Sequence, residues 1–139
     1  MKKEELLLLV LDRAGEKGLT PAQLQKAIFL LSKNFPSKFG NFYDFQPYNY
    51  GPFDKCIYLD FEKLEESGLA EKIDHNNPRH LYSISSEGHK STDNINIKAE
   101  EQEYIKRLVA WIQTLTFQEL ISTIYKKYPE YKANSIFRG

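Results

Sequence analysis

The chain has 139 residues, 41% of them hydrophobic and 27% charged, a balance that fits one packed domain and excludes a disordered chain. Nineteen basic and nineteen acidic residues cancel, so no global charge draws a nucleic acid, and any phosphate-binding patch must be local. The single cysteine, Cys56, excludes an internal disulfide and a cysteine-rich zinc site and suits a reducing cytoplasm.

Residues 2–16 read as a helix. Its apolar run, 6–11, is wide enough to be buried on most sides but too short to span a membrane, and charges flank it. It is also short for a signal peptide, so a cytoplasmic chain is expected. Thr20, Pro21 and Gln23 form a capping box with a proline at the first helical position, and Leu24, Ala27, Ile28, Leu31 and Phe35 recur at helical spacing. A second helix therefore covers 20–34. Residues 36–41 read as a loop.

Residues 42–50 are rich in rings and read as a strand, with Pro47 requiring an edge or a bulge. Phe42, Asp44, Gln46, Tyr48 and Tyr50 share one face, and Tyr43, Phe45 and Pro47 the other. The turn Tyr50-Gly51-Pro52-Phe53 leads into a third helix over 54–67, with Ile57, Phe61 and Leu64 as its buried stripe. Residues 69–73 and 80–85 form a β-hairpin around a turn at 74–79, and 91–98 read as a linker. A fourth helix covers 99–113. Thr116 and Glu119 cap a last helix that ends before Pro129, and Ile136 and Phe137 give the tail something to dock.

Helix, helix, strand, helix and hairpin is a winged-helix arrangement in outline, with helix 54–67 in the recognition position and the loop 74–80 as the wing. The segments "GLTPAQLQKAIFLLSKNF" and "FQPYNYGPFDKCIYLDFEKLEESGLAEK" resemble the YwgA-like and SocA/Panacea-like group of small bacterial and phage-associated proteins. That group carries a Leu-Gln-Lys helix, a Tyr-x-Tyr-Gly-Pro turn and an acidic helix ending in Gly-Leu. "YSISSEGHK" is similar to the end of many wings, with Ser85 and Gly88 at the matching positions. The resemblance covers roughly residues 19–131. With the order of elements, the expected fold is an α+β, winged-helix-like domain with a small antiparallel β-sheet and extra C-terminal helices: one domain over 1–139, with its core at 1–92 and a helical extension at 99–139. The resemblance implies binding rather than catalysis, in a regulator, antitoxin or protease adaptor.

Charge decides which surface is expected to bind. Residues 54–72 hold six carboxylates and three lysines, a local −3 that repels a polyanion. The expected surface for a partner protein, a toxin or a regulated protein, is therefore Tyr43, Tyr48, Tyr50 and Phe53 beside Asp54, Tyr58, Glu62 and Glu65, since tyrosine and phenylalanine are favoured interface anchors. The alternative is a DNA-binding regulator. It would use Asn76, Asn77, Arg79 and His80 of the wing with Lys126, Lys127 and Lys132, where residues 104–139 carry six basic and two acidic residues, a local +4. A homodimer would double such a patch. No phosphate loop, nucleophile elbow or zinc-protease motif is present, so no catalytic residue, metal or cofactor is expected. His75, His80 and His89 read as solvated, and Cys56 as a spectator.

Overall fold

The structure, a computed structural model, describes residues 1–73 and 80–137. Its helices are α1 (Lys3–Ala14), α2 (Pro21–Asn34), α3 (Pro36–Phe39), α4 (Cys56–Glu66), α5 (Ser86–Ser91), α6 (Ala99–Thr114) and α7 (Phe117–Lys127). Its strands are β1 (Gln46–Tyr48), β2 (Gly51–Phe53), β3 (Ala70–Ile73) and β4 (Leu81–Ile84). The fold is α+β, with seven helices and two antiparallel two-stranded sheets among the described residues. No helix among them is long and apolar enough to cross a membrane.

Helix α1 is the centre. Leu6, Leu7, Leu8, Leu9, Val10 and Leu11 are all buried, so this helix has no solvent face over that run. A helix apolar all round must be surrounded. Accordingly α2, α4, α5, α6 and β4 all pack on α1. Helix α6 presents Ile105, Leu108, Val109 and Ile112 to this core, and α7 adds Leu120 and Ile124. The C-terminal helices thus share one core with the N-terminal elements.

Both capping boxes read from the sequence are formed. Thr20 Oγ1 accepts from the Gln23 N–H at 3.1 Å, and Thr116 Oγ1 from the Glu119 N–H at 3.1 Å. Three other expectations need correction. Residues 42–50 are not one strand: only 46–48 pair, and their partner is the Gly51-Pro52-Phe53 segment itself. Pro47 faces Pro52, so neither middle residue has an N–H to give, which keeps the ladder short. Residues 36–39 form a helical turn where a loop was expected. The linker expected over 91–98 is largely structured, because α5 runs into a 3-10 turn at Thr92–Asn94 and Ile95 is buried.

Strands β3 and β4 pair from Ala70↔Ile84 to Ile73↔Leu81. Leu19, between α1 and α2, adds a bridge to Tyr82, with N···O distances of 2.9 and 2.7 Å. Ser85 then caps α5 by accepting from the Gly88 N–H at 3.0 Å. A Cβ on Gly88 would overlap the Leu69 carbonyl and press on Ile84. Gly88→Ala is therefore expected to destabilise the protein by about 2 kcal/mol or more, in the range of overpacked cores, measured as a lowered urea midpoint at unchanged slope.

Candidate functional site

The hairpin β1–β2 is positioned by two polar side chains of α2. Gln25 is fully buried, and its amide pairs with both backbone groups of Asp54. Nε2 donates to the Asp54 carbonyl at 2.8 Å, and Oε1 accepts from the Asp54 N–H at 3.1 Å. Lys26, only 3% exposed, donates from Nζ to the Pro52 carbonyl at 3.1 Å. No ion pair neutralises Lys26 among the described residues, and burial pushes its pKa down to about 8. Gly51, at φ +95°, is in the left-handed region where a side chain is strained, and an added Cβ would lie 3.4 Å from the Tyr125 ring. The Leu-Gln-Lys and Tyr-Gly-Pro-Phe segments quoted above are thus two halves of one contact.

The tail braces the other side. Tyr125 Oη donates to Ser135 Oγ at 2.6 Å, the Ile136 N–H to the Asn49 carbonyl at 3.0 Å, and Asn134 Nδ2 to the Pro47 carbonyl at 3.2 Å.

The residues expected at the partner surface divide. Tyr43 faces inward: it is buried, and its hydroxyl donates to Asp60 Oδ2 at 2.6 Å. Burial and then the Asp60 carboxylate hold its pKa well above the usual tyrosine range. Lys3 and Lys63 approach Asp60 at 3.5 and 3.7 Å. Asp54 is occupied with its own turn, Oδ2 accepting from the Asp44 N–H and Oδ1 from the Cys56 N–H, both at 2.8 Å. Two of the six carboxylates in 54–72 are therefore turned to structural work, and Glu65 shares Lys72 at 3.8 Å.

The other rings form two groups. Tyr48, 54% exposed, stacks on Phe53 with centroids 5.1 Å apart, and Phe53 meets Tyr58 edge-on at 5.5 Å. Tyr50, 43% exposed, meets Phe117 at 5.3 Å, and Phe117 is itself 46% exposed. Between Tyr58 and Phe117 a groove of about 590 Å³ opens, floored by Pro21, Ala22, Leu115 and Leu120. Glu62 and Glu65 lie one and two turns beyond Tyr58 on the same stripe of α4. The Tyr82 hydroxyl is pushed up to about 12, by burial first and then by Tyr58, Glu62 and Glu65. Nothing in the spacing of Phe117 distinguished it from a core residue; a ring in the first turn of α7, beside the cap Thr116, was the one available signal.

The basic residues gather elsewhere. Lys33 Nζ stands 5.6 Å from the Phe29 and Tyr131 ring centroids and 5.8 Å from that of Tyr128. Lys127 lies over Tyr128 and Lys132 over Tyr125, while Lys126 is exposed. His80 is exposed; Asn76, Asn77, Arg79 and His75 lie outside the described residues, as does Arg138. Leu19, just before α2, meets the β3–β4 hairpin at Tyr82, one pair from its turn end, whereas Lys33 is near the end of α2, about 20 Å along its axis.

His89 Nδ1 pairs with Asp12, which raises the imidazole pKa. The Ser85 hydroxyl, in the same cavity, is held by the Gly68 carbonyl and the Gly88 N–H. Among the described residues no three His, Cys, Asp or Glu side chains are grouped to hold a metal. The Cys56 thiol has its pKa raised, chiefly by Asp54.

No family model and no curated protein matches the chain.

Two outcomes are expected of the α2 clamp. Gln25→Leu leaves a buried N–H and a buried carbonyl unpaired and should lower stability by about 3 kcal/mol, read from urea unfolding. Lys26 titrates lower in the folded protein than unfolded, so between pH 8 and 10 the unfolded chain binds the extra proton and stability rises with pH. The wild-type curve should gain about 2 kcal/mol over that window relative to Lys26→Met. Comparing the two proteins cancels the opposing titration of Cys56 and the tyrosines.

Proposed function

We propose that this chain is a non-catalytic binding module of winged-helix type, antitoxin- or adaptor-like, which holds a partner protein on the ring surface of Tyr48, Tyr50, Phe53, Tyr58 and Phe117. The observation that carries the reading is the exposure of Tyr48, Tyr50 and Phe117 on a hairpin braced by Gln25, Lys26 and the tail. Large rings held rigidly in water favour contact with another protein, because their burial releases apolar surface at little cost in side-chain freedom. The bacterial or phage-associated setting comes from the resemblance alone.

The Leu19–Tyr82 bridge supports the winged-helix assignment. It supplies a strand residue between the first two helices, giving the order α1, Leu19, α2, α4, β3, β4, with α3 and β1–β2 inserted before α4. Helix α4 would then hold the recognition position, and Glu62 and Glu66 are exposed on it. Those carboxylates oppose a phosphate backbone and favour a protein partner.

A second reading, a DNA-binding regulator, is favoured by the lysines. Lys33, Lys126, Lys127 and Lys132 form no ion pair among the described residues; Lys33 stands over Tyr128 and Tyr131, Lys127 over Tyr128 and Lys132 over Tyr125. Stacking rings with ammonium groups suit a nucleic-acid strand.

The test is differential capture. Immobilised wild-type protein is expected to retain one stoichiometric protein, and the combined Tyr48→Ser, Tyr50→Ser and Phe117→Ser variant should retain it at least ~10-fold less at an unchanged thermal midpoint. Substituting Arg79, Lys126 and Lys127 by Glu should leave capture intact. Retarded migration of duplex DNA that fades steeply with salt and is lost in the lysine variant would replace this reading with the second.

A further inference from the structure

Residues 133–137 lie along the outer edge of β1 as a strap. Asn134 Nδ2 donates to the Pro47 carbonyl at 3.2 Å, and the Ile136 N–H to the Asn49 carbonyl at 3.0 Å. Ser135 Oγ is the hub. It accepts from Tyr125 Oη at 2.6 Å and from the Phe137 N–H at 3.0 Å, and it donates to the Asn49 carbonyl at 3.3 Å. The Phe137 ring stands edge-on to the rings of Phe117 and Tyr125, with centroids 6.3 and 6.1 Å away. Pro47 has no N–H, so the edge here offers carbonyls and takes donors. The strap supplies what the edge lacks: a backbone N–H, a side-chain amide and a hydroxyl.

This is the weakly held side of the hairpin. None of residues 133–137 is buried, and Ile136 is 55% exposed, whereas Gln25 and Lys26 hold the inner side from within the core. Hydrogen bonds open to water and little buried apolar surface mark a segment that opens at low free-energy cost. The inner clamp does not depend on it. Resting on the reading above, we propose that the strap is a self-ligand: it occupies the seat where an extended segment of the partner protein docks, and the partner displaces it. The incoming segment has defined chemistry. It brings N–H donors to the Pro47 and Asn49 carbonyls, an acceptor to the Tyr125 hydroxyl, and a large ring to the Phe117–Tyr125 seat. Phe117 also meets Tyr50, so the seat adjoins the exposed rings. A tethered strap competes at an effective concentration in the millimolar range, which holds the seat closed to weaker segments.

The test supplies the strap in trans. Ser135→Ala with Phe137→Ala removes the hub and the ring from the full chain, and the thermal midpoint should stay close to that of the wild type because neither side chain is in the core. The probe is a fluorescein-labelled copy of residues 132–137, Lys-Ala-Asn-Ser-Ile-Phe. By anisotropy it is expected to bind the variant at least ~10-fold tighter than the wild type, whose own strap fills the seat. A control peptide with serine in place of the phenylalanine should bind the variant at least ~5-fold more weakly. Amide shifts in the variant should centre on Asn49, Phe117 and Tyr125. Equal binding to the two proteins, no preference for the phenylalanine peptide, shifts centred elsewhere, or no saturation by about 5 mM overturns the proposal. Should the double variant lose its fold, Phe137→Ser, which keeps every hydrogen bond of Ser135, gives the same comparison. The wider surface reading fails separately, when the Tyr48, Tyr50 and Phe117 substitutions leave partner capture unchanged.

Discussion

The pairing of Gln25 with the backbone of Asp54 is the contact from which the site follows. The side-chain amide of Gln25 supplies both a donor and an acceptor, and Asp54 offers one backbone group of each kind, so one side chain satisfies both. This sets where α4 begins and where β2 must end. Lys26, the next residue, holds Pro52 in the same way at the cost of burying an ammonium, which is why its proton is held loosely. With the inner edge of the hairpin fixed in this manner, its remaining rings have only one direction to face. Rigidity and exposure of the aromatic surface are thus two consequences of one interaction.

Helix α1 imposes the complementary constraint on the fold. Its leucine run has no polar side, so helices and β4 close around it and the second layer is built outward from there. Charge is sorted by the same geometry. Asp60 is drawn beneath α4 to Tyr43, Lys3 and Lys63, Asp54 is absorbed into the turn, and Glu62 and Glu66 remain outside. Lys127 of α7 and Lys132 of the tail sit over the Tyr128 and Tyr125 rings.

What could be read in advance followed from local chemistry. Thr20 with Gln23, and Thr116 with Glu119, are signals complete within four residues, and both caps form as their spacing requires. The stripes of α4 and α6 are buried as their periodicity demands. The alternation holds over 43–48, with Tyr43 and Phe45 turned inward and Asp44, Gln46 and Tyr48 outward, but Phe42, expected on the outer face, packs on the core. The ring-rich stretch misled about the length of the strand and about its partner. Strand propensity describes a surface that pleats well, and it does not say which segment returns to meet it.

The sequence by itself determined the helix starts, the apolar centre at 6–11, the hairpin at 69–85 and the density of rings before α4, because each rests on contacts between near neighbours. Tertiary structure alone decided that Gln25 and Lys26 hold the Gly-Pro turn, that Tyr43 is buried while Phe117 is not, and that the caps of two distant helices share a groove. Those outcomes depend on groups dozens of residues apart meeting in one place, and no spacing along a chain encodes such a meeting.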